Sequence, residues 1–218
     1  MKFRSDNKAK NGSAKNISSR TFGEQRDPSL RLPEKLFNIA LRAVSRRRLT
    51  EHQLRESLVK KISQHWYESV TKNVSHEFLK NEIDKVLGRM KHLGYINDAD
   101  FAELFIRDTL LHRPHGSMWI KGQLMKKGID VEVIARAMEV VREAGSGNIN
   151  AHEDLEYNAA KTAAEKKLRT LEREEPKKRY EKMFRFLCSR GFAASMAFRV
   201  LDEIGLLRSG EMSDEIQL

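Results

Sequence analysis

One cysteine, four prolines and no long apolar run among 218 residues exclude a good deal before any motif is considered. With Cys188 alone, no intrachain disulfide can form, and its neighbours Phe184 and Leu187 place it in an apolar helical pattern that marks a core thiol. No stretch approaches the roughly 18 apolar residues of a membrane-spanning helix. The opening MKFRSDNKAKNGSAKN lacks the apolar segment of a secretory signal, so a cytoplasmic protein without a membrane partner is expected. Pro28, Pro33, Pro114 and Pro176 all fall outside apolar helical stripes, where a missing N–H does no harm. Strand signals are weak, because β-branched runs such as Val131 to Ile134 continue with a helical period. The expected class is all-α.

Chemistry is equally sparse. There is no glycine-rich phosphate cradle, no cysteine cluster, and no nucleophile with a base and an orienting acid, which predicts a protein that is not an enzyme and needs no cofactor. His112 and His115 stand three apart, but Pro114 lies between them and no third ligand is evident, so no metal site is expected.

What the chain does have is charge. One third of its residues are charged against 39% apolar, a balance common in helical proteins with broad solvated faces and an elongated outline. The formal charge of +10 favours a polyanionic partner or an acidic protein surface. Its distribution is uneven. Met1 to Pro33 has eight basic and three acidic residues, Glu34 to Asn97 thirteen and seven, and Asp98 to Leu218 twenty and twenty-one. The positive footprint is therefore expected in the N-terminal half.

Self-similarity organises the rest. With Leu58, Leu124 and Leu187 taken as equivalent, the residue four earlier is Leu54, Ile120 or Met183, and the residue three later is Lys61, Lys127 or Arg190. Gly128 and Gly191 follow in the second and third copies, where a left-handed residue ends a helix. Ile129 or Phe192 then resumes the apolar pattern. Upstream of each copy lies another amphipathic segment: Leu36 to Val44, Phe101 to Leu111, and Leu155 to Leu171. The expected architecture is three tandem three-helix repeats in an elongated, curved molecule. Residues 1–33 form a flexible basic arm too poor in apolar side chains to fold. The repeats occupy 34–97 (with an insert near 62–75), 98–150 and 151–208, and 209–218 form a tail. Turns containing Arg46 to Thr50, His112 to Ser117, and Pro176 to Arg179 are expected to join the first two helices of each unit.

Two stretches, GYINDADFAELFIR (Gly94 to Arg107) and GSMWIKGQLMKKGID (Gly116 to Asp130), resemble the central signature of the RecX family. ALRAVSRRRLTEHQLRESLVKK (Ala40 to Lys61) is similar to that family's first repeat. The resemblance spans roughly Glu34 to Ile204. It implies a protein without enzymatic activity that docks in the groove of a RecA filament on DNA, especially single-stranded DNA; a monomer is expected. Such a protein restrains recombinase, ATPase and coprotease activities, and so modulates DNA repair and the SOS response. Two departures stand out: Lys60-Lys61-Ile62 occupies the place where the family often has a glycine after the basic residue, and the insert Ile62 to Ser75 is long.

The candidate RecA or DNA contacts are Arg46, Arg47, Arg48, Lys60, Lys61, Lys126, Lys127 and Arg190. Three successive arginines at a turn point in different directions and suit a phosphate backbone or an acidic groove. The other cations end the middle helices, where compensation of the helix dipole is an equal explanation. Trp66, Tyr67 and Trp119 are stacking candidates, with Trp119 favoured for burial beside Ile120. Asp98, Asp100 and Glu103 read as early-helix acids rather than a catalytic group. The alternative function is independent DNA binding by helix-turn-helix-like modules; against it, the middle helices are apolar on one face rather than polar and base-reading.

Overall fold

The computed structural model describes residues 32–65, 75–144 and 151–206, and these form nine α-helices and no strand. In chain order they are α1 (Leu32–Arg46), α2 (Glu51–His65), α3 (His76–His92), α4 (Asp98–His112), α5 (Ser117–Lys126), α6 (Val131–Ala144), α7 (Ala151–Leu168), α8 (Pro176–Ser189) and α9 (Ala194–Glu203). Consecutive helices pack mutually in threes: α1 to α3, α4 to α6 and α7 to α9. The all-α repeated fold follows from local rules. Ser75 Oγ accepts from Phe78 N at 3.2 Å to start α3, whose Leu79, Ile83, Val86, Leu87 and Met90 bury one face at helical spacing. Asn97 caps α4 by accepting from Ala99 N at 3.0 Å, and Pro176 opens α8 at a position that has no N–H to lose.

The structure departs from the sequence-based expectations at four places. Helix α1 begins at Leu32, which is buried, so Leu32 and Pro33 belong to the first unit and not to the basic arm. Residues 1–31 lie outside the described residues, as do 207–218. Helix α2 runs on to His65, so Lys60 and Lys61 lie within it and do not end it; no glycine follows them to switch the backbone to the left-handed region. Ile62, assigned to the insert, is a buried residue of that helix, whereas Trp66 and Tyr67 lie outside the described residues. Finally, Pro176 to Arg179 form the first turn of α8 rather than its approach, and Arg179 Nη2 reaches back to the carbonyls of Glu172 at 2.8 Å and Glu174 at 2.9 Å.

The three aligned apolar pairs are all core residues: Leu54 and Leu58, Ile120 and Leu124, Met183 and Leu187. They serve two cores, not three. One cluster contains Leu32, Leu36, Leu54, Leu58, Ile83, Leu87, Met90 and Ile96, all from the first unit. The other joins Ile106, Ile120, Leu124 and Ile134 of the second unit to Met183, Leu187, Phe192 and Leu201 of the third. Helix α7 makes that fusion possible. Its buried Ala159, Ala160, Ala163 and Ala164 let α4 and α6 approach from one side and α8 and α9 from the other.

Leu124 is fully buried in this shared core, so Leu124→Ala should lower the unfolding free energy by about 2 to 5 kcal/mol. Urea denaturation followed by circular dichroism measures it. A loss below 1 kcal/mol, roughly the value of a surface substitution, would mean that the site is not packed as described.

Candidate functional site

Each unit meets the next through the same small set of contacts, counted from the aligned leucines. Seven residues before Leu58 is Glu51, whose N–H donates to Asp98 Oδ1 at 2.9 Å; seven before Leu124 is Ser117, whose N–H donates to Glu156 Oε1 at 2.7 Å. The first turn of each middle helix is thus capped by a carboxylate from the first helix of the following unit. Glu156 also accepts from Ser117 Oγ at 2.6 and 2.7 Å and is almost wholly buried. One residue further upstream, Thr50 Oγ1 donates to the Lys127 carbonyl at 2.7 Å, and Gly116 N to the Arg190 carbonyl at 2.9 Å.

The glycines after those carbonyls complete the seam. Gly128 and Gly191 have φ of 78° and 84°, as the tight turn requires. A Cβ on Gly128 would strike the His52 side chain, and one on Gly191 would strike the backbone and Cβ of Trp119. Trp119 is therefore partly enclosed at the junction, stacked on His115 with ring centroids 4.0 Å apart.

The predicted site residues separate into two groups. Arg46, at the end of α1, and Arg47 and Arg48, in the link to α2, are exposed and have no carboxylate partner among the described residues. Lys60, Lys61 and Lys126 are likewise exposed and unpaired. Lys127 and Arg190 are different. Both are half-buried helix caps whose carbonyls join neighbouring units; Lys127 Nζ lies 5.6 Å from the Phe105 ring, and Arg190 Nη1 donates to the Pro114 carbonyl at 3.1 Å. Both backbone carbonyls, and the Arg190 side chain, hold the seams together, whereas the Lys127 side chain stays within its own unit. The eight residues do not converge on one site.

A neighbour of the arginines escaped sequence reasoning. Ile96 is buried, but the adjacent Tyr95 is half-exposed. It lines, with Arg48, Asn97 and Phe101, a cleft of about 310 Å³ beside the arginine link. Of the three arginines only Arg48 lines this cleft, and the Asp100 carboxylate shares its wall; an exposed ring beside a cation suits contact with single-stranded nucleic acid. The cue available in the sequence was position: Tyr95 follows a helix-ending glycine, where a side chain can turn either way. Among the described residues there is no group of three side chains able to hold a metal, and no helix is long and apolar enough to cross a membrane.

Comparison with known proteins bears on both architecture and lineage. A family model described as the second three-helix domain of RecX matches residues 97–138, and one described as its third three-helix domain matches 154–201. A regulatory protein RecX from Chlorobium phaeobacteroides is 30% identical over 171 residues, covering 78% of this chain and 94% of that protein. The relative from Clostridium perfringens strain SM101 is 31% identical over 160 residues, 72% of this chain. The alignments span only 63% of that protein and 66% of the Clostridium beijerinckii relative, so the chain accounts for somewhat less than two thirds of those two lengths. The crystal structure of RecX from Lactobacillus salivarius has the same fold, with a TM-score of 0.62 at 20% identity, covering 80% of this chain and 97% of that one.

The seam titrates. Burial pushes the Asp98 carboxyl above its ordinary 3.8, outweighing the Glu51 N–H that favours its charged form. A carboxyl whose pKa is raised by folding contributes stability that is complete below the unfolded value and lost as pH rises through the raised folded value. Asp98→Asn retains an acceptor oxygen for Glu51 N without the charge. Its unfolding free energy, measured in urea from about pH 3 to 7, should gain on the parent's as pH rises through that interval. Asp98→Ala should instead lose about 0.5 to 2 kcal/mol as a broken cap. A parent and Asn variant that track each other at every pH would remove the desolvated carboxylate from the account.

Proposed function

The chain belongs to the RecX family, and we propose that it regulates a RecA recombinase by docking along the RecA filament on single-stranded DNA and restraining its ATPase, strand-exchange and coprotease activities. In this reading it acts by binding, as a cytoplasmic monomer without catalysis or cofactor, and so tempers DNA repair and the SOS response. The observation that carries the proposal is the exposed Arg46-Arg47-Arg48 link, which has no carboxylate partner among the described residues and whose Arg48 shares a cleft with half-exposed Tyr95. Three successive exposed guanidinium groups suit a surface that offers both phosphates and protein carboxylates, as a nucleoprotein filament does.

Independent base reading is less well supported. A helix-turn-helix module contacts base edges with the N-terminal residues of its second helix. In the first two units that end of the middle helix is already occupied by Asp98 or Glu156 from the next unit. A carboxylate there repels phosphates and fills the donors that would meet them.

Replacing Arg46, Arg47 and Arg48 together by Ala should relieve inhibition of RecA ATP hydrolysis on single-stranded DNA. Helical content should be unchanged, because all three side chains are exposed. Loss of two to three phosphate contacts would make the salt dependence of log K shallower by roughly 1.4 to 2, while loss of an acidic RecA contact would weaken filament binding more than binding to bare DNA. A folded triple variant that inhibits as strongly as the parent at every salt concentration removes the arginine link from the site.

A further inference from the structure

A second cationic site lies where the charge totals indicate none. From Asp98 onward acids outnumber bases by one, yet the seam between the second and third units opens into a cleft of about 470 Å³ whose lining includes Arg113, Lys166, Lys167 and Arg190, two histidines, and no carboxylate. Three separated segments build it: the ends of α4, α7 and α8. Lys167 Nζ and the Arg190 guanidinium sit 5.7 and 4.8 Å from the centre of the same Phe186 ring, so one ring contacts both cations. Arg113 and Lys166 are exposed, and none of the four has a carboxylate partner among the described residues.

Helix dipoles account for only part of this. Three helix C-termini together present about −1.5 elementary charges, against four formal positive charges. Cations arriving from three directions match a tetrahedral phosphate, whose oxygens accept from several sides, better than a planar carboxylate. We propose that this cleft binds the phosphate backbone of a nucleic-acid strand, as a second contact separate from the arginine link of the first unit. The choice of nucleic acid rests on the function proposed above, but the cleft requires no contact with RecA.

The test leaves RecA out, so that its failure is distinct from failure of the filament reading. Fluorescein-labelled oligothymidylate is titrated with the full chain over a range of salt concentrations and followed by anisotropy. Arg113→Ala/Lys166→Ala removes two exposed cations without touching the seam. Relative to the parent, log K against log salt should become shallower by about 1.4, or roughly 0.7 per phosphate lost. Lys80→Ala/Arg136→Ala removes the same charge elsewhere on the surface and should change the slope by less than half as much. Lys166→Glu, a single change at an exposed position, should weaken binding at low salt if the double variant proves poorly folded. An unchanged slope in the double variant overturns the proposal, as does an equal change in the control pair, which would reflect net charge alone. Intact DNA binding with weakened binding to free RecA also overturns it, and assigns the cleft to an acidic protein surface.

Discussion

A helix begins with N–H groups that its own backbone cannot satisfy, and in this molecule the middle helices of the first two units find the missing acceptor on the following unit. Asp98 reaches the start of α2, and Glu156 the start of α5. The repeat is therefore more than a recurrence of similar parts. Each unit contributes a carboxylate, a helix-ending carbonyl and a close-packed glycine to the unit before it. Removing the third unit would expose an uncapped helix end as well as an apolar face.

The two seams use this common geometry at different depths. Between the second and third units it is laid over a shared core, with Glu156 almost entirely buried and Trp119 packed beneath Gly191. Between the first and second units the apolar clusters are separate, and the polar contacts of Thr50, Glu51, Lys127 and Asp98 span the gap. Asp98 remains half-exposed, and the burial it does undergo raises its carboxyl above the ordinary value. The arginine link, Tyr95 and the acidic cap all cluster near the less deeply packed seam.

Much of the scaffold was legible in the chain. The pairs Leu54/Leu58, Ile120/Leu124 and Met183/Leu187 recur with a helical period, and every one is buried; Gly128 and Gly191 announce the tight turns that end α5 and α8. The site was read less completely because its parts are not local. An acid at the head of a helix serves that helix or another equally well, so Asp98 gave no sign of capping α2, and Glu156 lies inside α7 without any distinguishing neighbour. The alanines of α7 carry too little apolar area to mark a core face, although their small size is what admits four neighbouring helices. Charge totals failed for a related reason: summed over the C-terminal half they conceal Arg113, Lys166, Lys167 and Arg190, which folding gathers and separates from the acids nearby in sequence.

The division into two cores also imposes an order on biosynthesis. Every residue of the first cluster lies between Leu32 and Ile96, so that core can close while the remaining chain is still being made. The second cannot. Ile106, Leu124 and Ile134 share their interior with Met183, Phe192 and Leu201, so the middle unit emerges from the ribosome with an open face that only the last helices cover.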